Sequence, residues 1–187
     1  MIVGYAYTGS FCTISKSIDI MKGIVDKGID VLPIMSENAY YTDTRFGEAK
    51  AIRDKICEIC KRDIIHSIVD AEPLGPKVKL DALIIAPCTG NTLSKLANGI
   101  TDTPVCMAAK AHLRNNNPLI IALATNDGLS ANLKNIATLW SRKNVYFTPM
   151  MQDDPINKPH SLVAEFELVE NSLQLALAGK QNPKIFI

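Results

Sequence analysis

Two continuously apolar segments, Leu83–Ala86 and Leu119–Ala124, constrain the fold of this chain most. Neither segment alternates apolar with polar residues. A strand of this composition is buried on both faces, which is typical of a parallel sheet covered by helices on each side. The sequence therefore predicts an α/β protein with helical layers on both faces of the sheet.

Extended and helical patterns alternate along the whole chain, without a repeat or a linker. The predicted strands are 2–7, 30–35, 80–86, 119–124 and 145–148. The predicted helices are about 14–28, 45–61, 92–100, 103–115, 129–140 and 161–178. This order predicts a mostly parallel sheet in a single domain that covers residues 1–187.

Composition excludes several classes of function. The 187 residues suit one compact domain, and 20 basic against 19 acidic residues give no electrostatic reason to bind nucleic acid. The apolar runs are too short to cross a membrane. The amino terminus enters a strand without a basic leader, and five cysteines suit a reducing compartment. We therefore expect a cytoplasmic protein that binds neither nucleic acid nor membrane.

A small polar loop follows the third predicted strand, where ligands bind in open α/β sheets. Backbone amides at the start of the next helix would face an anion, and Gly90 would let the main chain approach a ligand. An ordinary loop with a capped helix explains the same residues. The candidate cofactor-binding residues of this loop are Pro87, Cys88, Thr89, Gly90, Asn91 and Thr92.

A second small polar loop follows the first strand. It has neither the Gly-x-Gly-x-x-Gly fingerprint of a dinucleotide site nor the Gly-Lys-Ser/Thr ending of a P-loop. The amides and hydroxyls that remain suit the phosphate of a mononucleotide such as FMN, although helix capping explains Ser10 or Thr13 equally well. The candidates here are Thr8, Gly9, Ser10 and Phe11, with Ser36 after the second strand.

Residues 87–92 read Pro-Cys-Thr-Gly-Asn-Thr and resemble the Pro-Ala-Ser-Ala-Asn-Thr signature of the homo-oligomeric flavin-containing cysteine decarboxylases. The similarity continues to residue 102. That family also includes flavin prenyltransferases. The resemblance implies a flavodoxin-like, Rossmann-like three-layer sandwich, FMN bound between subunits, and a homo-oligomer, either a trimer or a dodecamer.

The chain departs from this family at a second motif. Where the decarboxylases carry Pro-x-Met-Asn-x-x-Met-Trp, residues 122–129 match only at Asn126, which the resemblance makes a further cofactor-binding candidate. These enzymes also use a histidine upstream of the signature, and His66 is the nearest by position. An exposed or capping histidine is the alternative. The departure argues against decarboxylation of a cysteine-containing substrate.

Five further segments are similar to a specialised subunit of the same fold in endospore-forming bacteria. That resemblance implies an oxidoreductase subunit that aromatises a cyclic dicarboxylate of the lysine pathway in the mother cell. A separate chain would carry NAD(P), and FMN on this chain is compatible with the chemistry. The segments are 8–13, 70–77, 107–112, 125–129 and 152–155.

A small dicarboxylate substrate needs cations, and removal of a ring proton needs a base. Lys110 and Arg114 lie four residues apart on one predicted helix face, and Lys77 is another cation in a loop. His112 lies about 200° around the helix from Lys110, so His66 is the preferred histidine base. A solvated helix face is the alternative for Lys110 and Arg114. We predict catalytic roles for Cys12, His66 and Lys110, and substrate binding by Lys77, Lys110 and Arg114.

The cysteines have two interpretations. Cys12 and Cys88 lie near predicted helix starts, where a thiolate is favoured, but a small buried residue explains them as well. Cys57 and Cys60 form a C-x-x-C pair inside a helical pattern, with no second pair to complete a zinc site. We therefore predict that this pair lies on a helix and that the chain binds no metal.

Three functions remain open at this level. The chain is an oxidoreductase subunit that acts with an NAD(P)-dependent partner, an independent FMN-dependent decarboxylase or prenyltransferase, or a noncatalytic scaffold that stabilises the partner. The missing Met-Asn-Trp motif argues against the second.

Overall fold

The computed structural model describes residues 1–187, and a parallel sheet forms its centre. The strands are β1 (Ile2–Tyr7), β2 (Asp30–Met35), β3 (Ala82–Cys88), β4 (Leu119–Thr125), β5 (Val145–Phe147), β6 (Met150–Met151) and β7 (Leu162–Ala164). Five of them run parallel in the order β2-β1-β3-β4-β5. The short strands β7 and β6 continue the sheet in antiparallel fashion beside the carboxyl end of β4.

Helices cover both faces of the sheet. They are α1 (Phe11–Asp26), α2 (Glu37–Tyr41), α3 (Ala49–Cys60), α4 (Ile68–Ala71), α5 (Gly90–Asn98), α6 (Pro104–Leu113), α7 (Leu133–Trp140) and α8 (Val169–Leu177). Not one of them combines the length and the apolar character that a membrane span requires.

Successive side chains of each central strand point to opposite faces, so one strand contributes to two cores. In β3, Leu83 packs with Leu93 and the helices α5, α6 and α7. Its neighbour Ile84 packs with Ile14 and the helices α1, α3 and α8. All residues of β3 are buried, as the continuous apolar pattern predicted. The three-layer αβα sandwich with a mostly parallel sheet is confirmed.

The carboxyl-terminal quarter differs from the prediction. Residues 161–178, predicted as one helix, begin with strand β7 and a 3₁₀ turn at Phe166–Leu168 before α8 starts. Pairing of β4 with β5 reaches only Ile121, so the end of β4 has free backbone groups on that side. β7 pairs with Ala124 and Thr125 there, which satisfies these buried groups.

Other boundaries also differ. The helix predicted over 45–61 begins at Ala49, whose backbone N–H donates to the Asp43 side chain at 2.8 Å. That acceptor lies six residues upstream rather than in the adjacent position that a cap normally has. Strand β3 continues through Pro87 to Cys88, with a register shift against β4, although Pro87 was predicted to end it. The C-x-x-C pair lies in α3 as predicted.

Candidate functional site

Two clefts open at the carboxyl ends of the central strands. The chain leaves β1 toward β2 on one side and leaves β3 toward β4 on the other, so the loops after β1 and β3 diverge from a switch point. Ligands of doubly wound sheets bind in the crevice at such a point. The large cleft has a volume of about 740 Å³ and the small cleft about 570 Å³. Both are lined by Gly9, Phe11, Thr89 and Asn91, so they meet along one ridge.

The two polar loops are tied together by Thr8. Its hydroxyl donates to the Pro87 carbonyl oxygen at 2.8 Å and accepts from the Thr89 amide at 2.9 Å. The Thr8 amide also donates to Pro87, at 3.2 Å. Thr8 is only 1 % exposed. Thr8 and the Pro87 carbonyl thus fix the relative position of the loops. Thr8 also lines the small cleft, and its part in cofactor binding stays a prediction.

Backbone amides without an internal partner lie on both sides of this ridge. The N–H groups of Gly9, Phe11 and Cys12 at the start of α1 donate no hydrogen bond within the chain, and neither do those of Gly90 and Asn91 at the start of α5. Helix N-termini carry partial positive charge. These five donors can therefore bind an anionic or carbonyl oxygen.

The hydroxyls of the loops divide between local bonds and the clefts. The Thr89 side chain caps α5 by accepting from the Thr92 amide at 3.2 Å, and Ser36 caps α2 by accepting from the Ala39 amide at 3.3 Å. Ser10 makes no cap for α1 and instead accepts from the Thr13 hydroxyl at 3.1 Å. The hydroxyl protons of Ser10 and Ser36 are therefore available for a ligand.

Gly90 is required by packing within the protein. A Cβ atom at this position would lie 2.4 Å from Thr125 Oγ1, 2.5 Å from Asn132 Nδ2 and 2.8 Å from Asp127 Oδ1. The sequence prediction assigned Gly90 to close contact with a ligand. The structure shows that its small size lets the start of α5 approach the polar residues after β4.

Asp127 is a functional candidate that the sequence prediction missed. Its Oδ1 accepts from the Thr125 hydroxyl and from Asn132 Nδ2, and its Oδ2 also accepts from Asn132 Nδ2 at 2.9 Å. Asn135 in turn holds Asn132 through a 2.8 Å bond. These contacts fix a carboxylate in the wall of the large cleft. The sequence did indicate Asp127, because Asn126-Asp127-Gly128 directly follows a buried strand. Of these three residues, only Asn126 was predicted as a site residue.

Other lining residues come from distant segments without a motif. Arg45 and Phe46 lie in a turn between α2 and α3, and Asp153, Lys158 and Ser161 lie between β6 and β7. The large cleft also contains the predicted residues Ser10, Cys12, Gly90 and Asn126, and the small cleft contains Ser36 and Thr92.

Six predicted residues line neither cleft: Pro87, Cys88, His66, Lys77, Lys110 and Arg114. His66 lines a separate cavity near the edge strand β2, where its ring stacks on Tyr40 at 3.9 Å. Lys110 is exposed on α6, and Arg114 follows its last turn. Lys77 is exposed in the connection that leads into β3. These connections return to the amino ends of the strands, so the structure does not bring the three cations to the carboxyl edge.

The two cysteines of the loops differ in environment. Cys88 is fully buried in the core, and this burial, with a contribution from Cys106, raises the pKa of its thiol far above the usual value. Of the two interpretations of Cys88, the structure supports the small buried residue, and Cys88 offers a ligand no side chain. Cys12 is exposed and lines the large cleft.

Comparisons with known proteins agree with this architecture. Residues 2–167 match the Flavoprotein family. The chain is 44% identical to the B subunit of dipicolinate synthase from Bacillus subtilis over 185 residues, which cover 99% of this chain and 92% of the relative.

Solved structures give the same result. The crystal structure of the dipicolinate synthase B subunit from Bacillus halodurans superposes with a TM-score of 0.92 and 44% identity, covering 100% of this chain and 95% of that one. A dodecameric FMN-dependent UbiX-like decarboxylase from Escherichia coli O157:H7 has a TM-score of 0.63 and 20% identity, covering 80% of each chain, and shares the fold. The chain therefore belongs to the Flavoprotein family and, within that family, to the group of dipicolinate synthase B subunits.

Proposed function

We propose that this chain works as the B subunit of dipicolinate synthase. Together with an NAD(P)-dependent dipicolinate synthase A chain, it converts a tetrahydrodipicolinate-type intermediate of the lysine pathway to pyridine-2,6-dicarboxylate during sporulation. The observation that carries the proposal is 44% identity over 99% of the chain to a protein of that name. The clefts at the switch point supply a site where such a reaction can occur.

The residues around the clefts fit FMN. A flavin phosphate needs several donors, and the unpartnered amides of α1 lie beside the hydroxyls of Ser10 and Ser36. The flavin ring needs polar groups along its edge, and the side chains of Asn91 and Asn126 make no hydrogen bond within the protein. The cleft volumes lie within the usual range for small-molecule sites. We therefore assign the two loops to FMN binding.

In this proposal the protein is part of an oxidoreductase, because aromatisation of a hydroxylated tetrahydro ring removes one hydride, one proton and one molecule of water. FMN accepts a hydride when bound, and NAD(P) offers the same chemistry on the A chain. The Asp127 carboxylate, oriented by Thr125 and Asn132, is placed to accept the proton. Cys12, exposed in the same cleft, is a second candidate for proton transfer. The proposal does not use His66 or Lys110.

We place the protein in the cytoplasm of the sporulating mother cell, as a homo-oligomer in addition to its contact with the A chain. Support for a trimer or dodecamer comes from the dodecameric neighbour. The exposed side chains of Tyr41 and Trp140, 65% and 38% accessible, offer apolar area for such contacts.

Reconstitution tests the proposal. The purified chain is mixed with the A chain, the lysine-pathway intermediate and NADP, and dipicolinate is followed by ultraviolet absorbance. We expect product only when both chains are present, and we expect Asp127→Asn to lower kcat roughly a hundredfold with little change in KM. Catalysis by the A chain alone at the full rate would contradict the proposal.

Two outcomes would favour the alternatives. A yellow protein that decarboxylates or prenylates a substrate without the A chain would be an independent FMN enzyme. If the A chain needs this chain but Asp127→Asn and Asn91→Ala leave the rate unchanged, the chain is a scaffold.

A further inference from the structure

We propose that Arg45 and Lys158 bind the two carboxylates of a planar dicarboxylate at the mouth of the large cleft. They are the two basic residues that line this cleft. Arg45 lies in the turn between α2 and α3, and Lys158 lies in the connection between β6 and β7. The inference rests on the proposed function and specifies how its substrate and product are recognised.

Arg45 is presented by a tight turn. The amides of Thr44 and Gly47 each donate to the other residue's carbonyl oxygen at 3.1 Å, which leaves Arg45 and Phe46 at the tip. The Arg45 side chain is exposed and has neither a hydrogen bond nor an ion pair within the chain, and its guanidinium lies 4.9 Å from the centre of the Phe46 ring. A guanidinium with five free donors is suited to bidentate binding of a carboxylate.

Lys158 enters from the connection between β6 and β7. Its ammonium lies 2.7 Å from Asp153 Oδ2, which uses one of its three donors. The connection is held in shape, because Asp154 Oδ1 accepts from the Asn157 amide at 3.0 Å and the His160 carbonyl oxygen accepts from the Leu129 amide at 2.9 Å. The connection therefore has a defined shape, and the Lys158 ammonium, on a half-exposed side chain, has two donors left for a ligand.

The charges in the cleft determine how the ligand lies. Two carboxylates line the cleft, Asp127 on its wall and Asp153 paired with Lys158. The acid groups of a dicarboxylate are therefore repelled from Asp127 and attracted to Arg45 and to the free donors of Lys158. The ring then lies toward Asp127 and Asn91. Phe46, which is 50% exposed, offers an apolar face to a planar ring.

The small cleft provides no comparable pair. Lys95 is its single basic residue and lies within 2.9 Å of both carboxylate oxygens of Asp102, so a second cation is missing there. The phosphate of FMN and the carboxylates of the substrate are thus bound by different groups. Amides and hydroxyls bind the phosphate, and Arg45 and Lys158 bind the carboxylates.

The test measures binding of two probes to the full chain saturated with FMN, by calorimetry. The probes are pyridine-2,6-dicarboxylate and the monocarboxylate pyridine-2-carboxylate. We expect wild type to prefer the dicarboxylate, and we expect Arg45→Gln and Lys158→Gln each to weaken dicarboxylate binding roughly tenfold and to reduce that preference. Matched controls are Arg114→Gln and Lys110→Gln, exposed cations outside the clefts, which should bind as wild type does.

Three results would overturn the inference: no dicarboxylate binding by wild type, unchanged binding by both cleft variants, or an equal loss in the controls. Kinetics of the reconstituted enzyme separate this inference from the proposed function. Normal synthesis of dipicolinate with an unchanged KM in Arg45→Gln removes the inference and leaves the function. Selective loss of binding in Arg45→Gln without any synthesis by wild type removes the function and leaves the site.

Discussion

The two edges of the central sheet use their polar groups differently. At the amino edge, Asn115 donates to the Gly75 carbonyl, Asn117 donates to the Leu80 carbonyl, and His112 is bonded to the Pro118 carbonyl. At the carboxyl edge, the side chain of Asn91 and five helix-start amides have no partner within the chain. Buried polar groups must be satisfied, so the first edge is built for stability and the second retains groups for a ligand.

The largest effect on stability is expected at the amino edge. Gly75 has a φ of +107°, and a Cβ there would lie 2.4 Å from the Ala111 carbonyl oxygen. Backbone strain and this clash should make Gly75→Ala lower the free energy of unfolding by about 3 kcal/mol, without changing FMN affinity. Urea unfolding measures the loss. Gly179→Ala, at a φ of +71° with open space around it, should cost only about 1 kcal/mol. Equal losses would show that the contact with Ala111 has no effect.

The next effect tests the tie between the two loops. Thr8→Val removes a buried hydroxyl and leaves the Pro87 carbonyl and the Thr89 amide without that partner. We expect a loss of about 2 kcal/mol in stability and roughly tenfold weaker FMN binding, since the loops are no longer held together. Thr8→Ser keeps the hydroxyl and should restore both. A Thr8→Val variant with wild-type FMN affinity would show that the tie does not position the site.

A pH effect on stability is expected from His112 at the amino edge. Burial lowers the pKa of His112 below its usual 6.5, and the bond to the Pro118 carbonyl opposes this only in part. Below that pH the unfolded chain binds a proton more readily than the folded chain. The contribution of His112 to stability is therefore fully present above about pH 6.5. It is lost on acidification by at most about 1.4 kcal/mol per pH unit.

His112→Gln should remove this part of the pH dependence, because glutamine does not titrate. Urea unfolding at about pH 5.5 and 7.5 measures the difference between the variant and wild type. A wild-type pH dependence in the variant would assign the effect to other groups.

The smallest effect is expected from a single exposed group at the carboxyl edge. Asn91→Ala removes a side chain that contacts both clefts and has no internal bond, so FMN affinity should fall about fivefold with stability unchanged. Flavin fluorescence measures the affinity. The control is Asn98→Ala at the other end of α5, which should bind FMN as wild type does.

The sequence predicted the edge at which the clefts form but not all of their walls. Continuous apolar strands and the small loops that follow them are local patterns, so the sheet and the loops after β1 and β3 were found. Arg45 and Lys158 lie in exposed turns whose approach to the loops depends on tertiary packing. Lys110 lies outside both clefts. Helix periodicity predicts which face of a helix a residue lies on but not which edge of the sheet it is near. A helix between parallel strands returns to the amino edge, and that rule would have placed Lys110 away from the clefts.

The central claim is that ligands bind at the carboxyl edge, and amide NMR of the labelled chain during titration with FMN tests it most directly. The account predicts that the largest shifts occur at residues 9–12 and 90–91, whose amides include the unpartnered donors, while the amides around Gly75 and His112 stay unchanged. FMN binding that shifts the amino edge and leaves these loops unaffected would contradict the account.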